Sequence, residues 1–198
     1  MLLADDQALV LGALAALLNL ESDIEVVATC GRGDEVLASV REHQPDVCLL
    51  DIEMPGLSGI EVCRLLGREA PVTKCAIVTT FGRPGYLRRA LESGARGFLV
   101  KDTPADELAR AVRRIAEGQR VIDPNLAVES VTAGPNPLTA REVEVLRAAL
   151  SGGSVDAIAQ TVHLSAGTVR NHISSAIAKT NTTTRMEAAL AANEAGWL

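Results

Sequence analysis

The sequence predicts an α/β domain with a doubly wound, five-stranded parallel sheet, followed by a small all-α domain of four helices. Three observations lead there. Between Met1 and about Glu117, short continuous apolar runs alternate with longer amphipathic stretches. A segment rich in Pro and Gly follows. Beyond it the apolar residues recur only at helical spacing. At 198 residues the chain is long enough for two cores, and 47% apolar with 22% charged residues is a globular composition. Aromatics are only 2%, so Leu, Val, Ile and Ala must build both cores.

The first apolar run is Leu2-Leu3-Ala4. Further runs cover residues 24–28, 47–50, 76–79 and 97–100. Runs this short and continuous suit strands buried on both faces. Helical patterns separate them: Leu14, Leu17 and Leu18; Val36, Leu37 and Val40; Ile60, Val62, Leu65 and Leu66; and finally Leu108, Val112 and Ile115. These units define a first domain over residues 1–118. Residues 119–136, with Pro124, Gly134 and Pro135, read as a linker in which no helix is expected. Residues 137–198 form the helical domain. Thr139 with Glu142, and Thr184 with Glu187, have capping-box spacing. Gly152-Gly153 ends one helix and Ser154 opens the next. His163-Leu164-Ser165 is a tight turn before Val169, Ile173 and Ile177, a helix-turn-helix pattern.

Residues 9–20 are apolar but too short to span a bilayer. Asp5 and Asp6 precede them where a signal peptide carries positive charge, so a cytoplasmic protein without a membrane partner is expected. Cys30, Cys48, Cys63 and Cys75 have no paired spacing; Cys48 and Cys75 lie inside apolar runs and read as small core residues. The net charge of −6 lies entirely in the first part: residues 1–135 hold 14 Lys/Arg and 20 Asp/Glu, residues 136–198 hold 5 of each. By charge alone the tail is a weak nucleic-acid binder.

In a doubly wound sheet, ligands bind at the carboxyl ends of the strands. The polar residues there are Asp5 and Asp6, Asp51, Thr79 and Lys101, which strand order 2-1-3-4-5 would bring to one edge. Three crowded carboxylates repel unless a cation joins them, and oxygen-only ligands suit Mg²⁺. The matching chemistry is phosphoryl transfer to a carboxylate, with Asp51 as nucleophile, Lys101 on a phosphoryl oxygen and the Thr79 hydroxyl on another. Taken singly, Asp51 reads equally as a turn residue and Lys101 as a solvated lysine; the set carries the reading.

The stretches Met1-Leu2-Leu3-Ala4-Asp5-Asp6-Gln7, Leu49-Leu50-Asp51-Ile52-Glu53-Met54-Pro55-Gly56-Leu57-Ser58-Gly59, Val78-Thr79-Thr80 and Phe98-Leu99-Val100-Lys101-Asp102 resemble the receiver domain of a response regulator. The tail, from Leu138-Thr139-Ala140-Arg141-Glu142 through Thr168-Val169-Arg170-Asn171-His172-Ile173, resembles a LuxR-type helix-turn-helix. Together they are similar to the NarL/FixJ class over essentially the whole chain. The resemblance implies Asp51 as phosphoacceptor and Asp5, Asp6, Asp51 and the Glu53 backbone carbonyl as Mg²⁺ ligands. It also implies Thr79, rather than Thr80, as switch hydroxyl and Phe98 as the aromatic switch position. The partners it implies are a sensor histidine kinase, double-stranded DNA and a second copy on phosphorylation. Pro104 stands three residues after Lys101 instead of directly after it, so no cis-proline is expected there, and the family usually has a few more residues before the first strand.

In the tail, Val155–Thr161 is expected to support a recognition helix over residues 165–179. Val169, Ile173, Ala176 and Ile177 face inward, leaving Arg170, Asn171, Ser174 and Ala178 outward. Arg170 and Asn171 suit base edges, with Ser174 on the same face; Thr168 and Lys179 suit phosphates. Ser174 and Thr183 stand where relatives often carry Lys or Arg, so each copy should bind DNA weakly and two should act together. A last helix over residues 186–195 resembles the dimer-forming helix of the family. Two other functions compete: a DNA-binding regulator independent of phosphorylation, and a metal-dependent phosphatase or dehalogenase-like enzyme. The second kind places an Asp two residues after the nucleophile, where this chain has Glu53, and leaves the tail without a role; the chain is therefore not expected to be an enzyme beyond slow self-dephosphorylation.

Overall fold

The computed structural model describes residues 1–80, 84–132 and 136–198. Strands β1 (Leu2–Ala4), β2 (Ala28–Cys30), β3 (Val47–Leu50), β4 (Lys74–Thr79), β5 (Gly97–Val100) and β6 (Val121–Ile122) form one sheet of order β2-β1-β3-β4-β5-β6, with every pairing parallel. Helices α1 (Ala8–Leu18), α2 (Gly33–His43), α3 (Gly59–Glu69), α4 (Pro84–Glu92) and α5 (Ala105–Ala116) connect them. Of these, α1 and α5 pack against each other on one side of the sheet, and α2 packs against α3 on the other. Parallel strands need such crossovers, and helices on both faces explain why β3 is buried along its whole length.

The core beside α1 and α5 is aliphatic: Leu3, Leu18, Leu49, Val78, Leu108, Val112 and Ile115. Helix α1 has no charged residue, and its outer face leaves Leu9 and Leu17 exposed, with Leu20 just beyond its end. All four cysteines are free and buried. Cys48 and Cys75 are register partners on β3 and β4, and burial pushes the Cys48 thiol up to about 12, so it stays a protonated core residue.

Three expectations are corrected. The sheet has six strands, not five, because Val121 and Ile122 add to the β5 edge. The segment expected as a linker without helix carries β6 and then α6 (Pro124–Thr132). Pro124 is its first residue, where a missing N–H costs nothing, and the Asp123 carboxylate accepts from the N–H groups of Asn125 (2.9 Å) and Leu126 (3.2 Å). Gly134 and Pro135 lie outside the described residues. Asp123→Ala should cost α6 about 1 kcal/mol, seen as faster amide exchange over residues 125–132 with the rest of the chain unchanged. Thirdly, β2 occupies residues 28–30 instead of 24–28. Its partner β1 spans only Leu2–Ala4, whose register matches are Ala28–Cys30. Upstream, the Val26 N–H is taken by the Asn19 side chain at 2.8 Å.

Chain contacts divide the protein into two compact units, the first Met1–Gly82 with Leu87–Val128, the second Arg83–Tyr86 with Glu129–Leu198. The second holds α7 (Ala140–Ala149), α8 (Val155–Thr161), α9 (Ala166–Thr180) and α10 (Arg185–Glu194). Capping boxes open α7 and α10, and Ser154 and Ser165 cap α8 and α9. The turn before α9 is closed by the Leu164 N–H on the Ala159 carbonyl, 3.0 Å, with His163 in the left-handed region at φ 53°. Val145, Leu146, Ile158, Val169, Ile173, Ala176 and Ala188 fill the core between them.

Candidate functional site

Asp5, Asp51 and Lys101 are each placed by a strand ladder that runs one residue past its strand. The Asp5 N–H donates to the Cys30 carbonyl (3.1 Å), the Asp51 N–H to Ala4 (2.8 Å) and the Lys101 N–H to Thr79 (2.8 Å). Three residues from three crossovers are thereby held at one level along the strand ends. Asp5, Asp51 and Thr79 are buried, while Asp6 and Glu53 are exposed.

The Lys101 ammonium lies 2.7 Å from Asp5 Oδ2 and 3.2 Å from Asp51 Oδ1, its side chain only 8% exposed. Asp5 Oδ1 accepts from the Gln7 N–H at 2.9 Å, and Asp51 Oδ2 from the Glu53 N–H at 3.2 Å. Burial pushes the Asp51 carboxyl above the usual carboxylate range, helped by the neighbouring Asp5 charge and opposed by Lys101. For Lys101, burial pulls the ammonium pKa down, but the hydrogen bond to Asp5 and the charges of Asp51 and Asp5 outweigh it, and the group is held above its ordinary value.

Oxygen atoms of Asp5, Asp6 and Asp51 lie within 4.8 Å of one another. Three carboxylates facing a single ammonium leave net negative charge, and all-oxygen donors at a site with one exposed member fit Mg²⁺. The structure thus brings together Asp5, Asp6, Asp51 and Lys101, and sets Thr79 on the adjacent strand beside β5. Phe98, the expected switch aromatic, has a wholly buried ring. Gly59 closes the motif that begins at Asp51, and the structure supplies the reason for a glycine there: a Cβ would stand 2.0 Å from the Asp51 carbonyl oxygen, so only glycine lets α3 begin so close to the acceptor.

In the second unit, Arg170, Asn171 and Ser174 are exposed together on α9, and Thr168 is half-buried with its hydroxyl 2.8 Å from Ser165 Oγ. Lys179, expected to suit a phosphate, is paired within the protein. Its ammonium donates to both oxygens of Glu142, at 2.9 and 2.7 Å, and Ser175 Oγ donates to the same carboxylate at 2.7 Å. Glu142 is 4% exposed. Its capping role was legible in the sequence; its pairing with a cation thirty-seven residues away was not.

Comparison with known proteins agrees with both halves. Residues 1–113 match the response regulator receiver domain family, and residues 136–192 match the bacterial regulatory proteins of the luxR family. The chain is 45% identical to the uncharacterised transcriptional regulatory protein YvfU of Bacillus subtilis, covering 99% of this chain and 98% of that protein. It is 44% identical to the transcriptional regulatory protein DesR of Bacillus subtilis, covering 98% and 96%. Among solved structures, the response regulator ChrA of a heme-sensing two-component system superposes with a TM-score of 0.58 at 32% identity, covering 100% of this chain and 97% of that one. With its acidic strand-edge cluster in one unit and a helix-turn-helix in the other, the chain belongs to the response regulators that join a receiver domain to a LuxR-type DNA-binding domain.

Proposed function

We propose that Asp51 accepts a phosphoryl group from a histidine kinase, and that the phosphorylated protein pairs with a second copy to bind DNA and regulate transcription. The observation that carries this reading is the contact of Lys101 with both Asp5 and Asp51 at the strand edge. A carboxylate oxygen of Asp51 attacks phosphorus, the bond from phosphorus to the kinase nitrogen breaks, and an acyl phosphate forms on Asp51. A Mg²⁺ held by Asp5, Asp6, Asp51 and the Glu53 carbonyl supplies neutralisation of the phosphoryl charge. Lys101 exchanges its bond to Asp51 for one to a phosphoryl oxygen, and the Thr79 hydroxyl donates to another. These movements bias a two-state receiver surface. The reading puts receiver and effector in one chain working at DNA; among the described residues no helix is long and apolar enough to cross a membrane.

Pairing supplies the affinity that charge does not. Residues 136–198 hold 5 cations against 5 carboxylates, and Lys179 is already paired with Glu142. Few counterions are released on binding, so a single tail grips DNA weakly and its salt dependence is shallow. On α10, Met186 and Leu190 are exposed one turn apart, an apolar stripe suited to a second copy. Leu190→Glu should weaken DNA binding about tenfold or more while leaving phosphoryl uptake unchanged, measured by sedimentation with an operator duplex; an unaltered dimer would move the interface elsewhere.

The whole reading is tested by incubating the protein with a small acyl phosphate and Mg²⁺, then following intact mass, oligomeric state and operator binding. Expected are one added phosphoryl group, a shift toward dimer and tighter binding. DNA binding and assembly that do not change on phosphoryl uptake would favour the phosphorylation-independent regulator.

A further inference from the structure

The loop that leaves Asp51 is braced by a segment outside the acidic cluster. Residues 52–58 connect β3 to α3 and are tied at the far end by the Gly59 N–H on the Ile52 carbonyl, 3.1 Å, and by the Ser58–Glu61 capping box. Their middle is held by the start of α2. Gly33 is the first residue of that helix, and its N–H, which has no acceptor inside the helix, donates to the Pro55 carbonyl at 3.0 Å. A Cβ on Gly33 would stand 1.8 Å from the Leu57 carbonyl oxygen and 2.7 Å from its carbon. The next residue, Asp34, lays its carboxylate against Gly56, which turns at φ +81°; a Cβ there would be 2.5 Å from the carboxyl carbon. Arg32 fixes that carboxylate with two hydrogen bonds of 3.0 Å.

We propose that Gly33 and Asp34 are positioning residues for the Asp51 site, setting the path of the loop that carries Glu53. The connection is short: the Glu53 N–H donates to Asp51 Oδ2 at 3.2 Å, and the Glu53 carbonyl is one of the Mg²⁺ ligands of the reading above, on which this inference rests. Gly33 is needed for space, not for its dihedral angles. Alanine is the better helix former, so Gly33→Ala should favour α2 in isolation. Whatever the substitution costs must therefore arise where α2 meets the loop. Relieving the contact with Leu57 requires a shift of more than about 1 Å, and an error of that size at a reacting centre costs about 100-fold in rate.

The test uses the full chain in four forms: wild type, Gly33→Ala, Asp34→Ala and Val40→Ala. Val40 is buried on the same helix and, when shortened, weakens packing without touching the loop. Mg²⁺ affinity is read by calorimetric titration, phosphoryl uptake from a small acyl phosphate by intact mass, and folding by thermal melting. Gly33→Ala should bind Mg²⁺ about tenfold more weakly and take up the phosphoryl group 10- to 100-fold more slowly, with Asp34→Ala intermediate. Val40→Ala should melt earlier yet keep Mg²⁺ affinity within about twofold of wild type. Wild-type Mg²⁺ affinity in Gly33→Ala, or an equal loss in Val40→Ala, would overturn the inference. Should Gly33→Ala fail to fold, Asp34→Ala decides, since it removes the brace without a clash. Weakened Mg²⁺ binding with no phosphoryl uptake by any form, wild type included, would leave the brace standing and remove the phosphorylation reading; no Mg²⁺ binding by wild type would remove both.

Discussion

Asp51→Asn should lower phosphoryl uptake from a small acyl phosphate on the order of a thousandfold or more, because an amide oxygen lacks the charge that makes a carboxylate nucleophilic. The loss would not come from unfolding. Asn has nearly the same shape, and the Asp51 N–H that joins the site to β1 is a backbone group untouched by the change. Removing one of three clustered carboxylates also relieves repulsion that burial makes expensive. The melting temperature should therefore hold or rise while phosphorylation disappears. Intact mass after incubation with Mg²⁺ and donor checks the first half, and thermal melting the second. A variant that gains the phosphoryl mass at the wild-type rate would place the acceptor on another carboxylate.

The second large effect lies in the DNA-binding unit, at Glu142. Its carboxylate accepts from Lys179, Ser175 and the Thr139 N–H while only 4% exposed. Burial pushes its pKa up, but these hydrogen bonds overcome it and hold the carboxyl at about 2, against an ordinary 4.5. A folded-state pKa below the unfolded one stabilises above the unfolded value and is lost as pH falls through the folded one. The contribution, about 3 kcal/mol, is complete above about pH 4.5 and gone near pH 2. Glu142→Ala should cost about 2–3 kcal/mol at neutral pH: a buried pair is broken, though Lys179, one-third exposed, can turn to water. A unit of this size has about 5 kcal/mol to lose, so its midpoint should fall sharply. Trp197, the single tryptophan, packs against this core, and its fluorescence reports the unit selectively. The wild type should lose stability between pH 4.5 and 2 by that margin more than Glu142→Gln does. Parallel acid profiles in the two proteins would show that the network stabilises little.

The site in the first unit was legible because strand ends are legible. Asp5, Asp51, Thr79 and Lys101 each follow or finish a buried apolar run, and parallel topology puts such ends along one edge whatever the details of the crossovers. Likewise α8 was read to the residue, since Gly152-Gly153 and Ser154 mark its start and the His163-Leu164-Ser165 turn its end, and the outward set Arg170, Asn171 and Ser174 followed from helical period alone. Where local signals conflicted with a neighbour, the reading failed. Pro124 looked like a breaker, yet with Asp123 before it the same residue starts α6. Val121 and Ile122 are too short a run to read as a strand, and pair only because the β5 edge offers them a partner. The pull of β1 moved β2 toward Cys30.

The alternation of the first five strands with helices, the acidic strand ends and the exposed face of α9 were legible along the chain, because they depend on local period and on the fixed rules of parallel sheets. Tertiary structure alone decided that Lys101 is shared between two aspartates, that Lys179 is committed to Glu142, and that Gly33 and Gly59 must lack side chains. These depend on distances between segments remote along the chain, where a shift of one ångström separates a hydrogen bond from a collision.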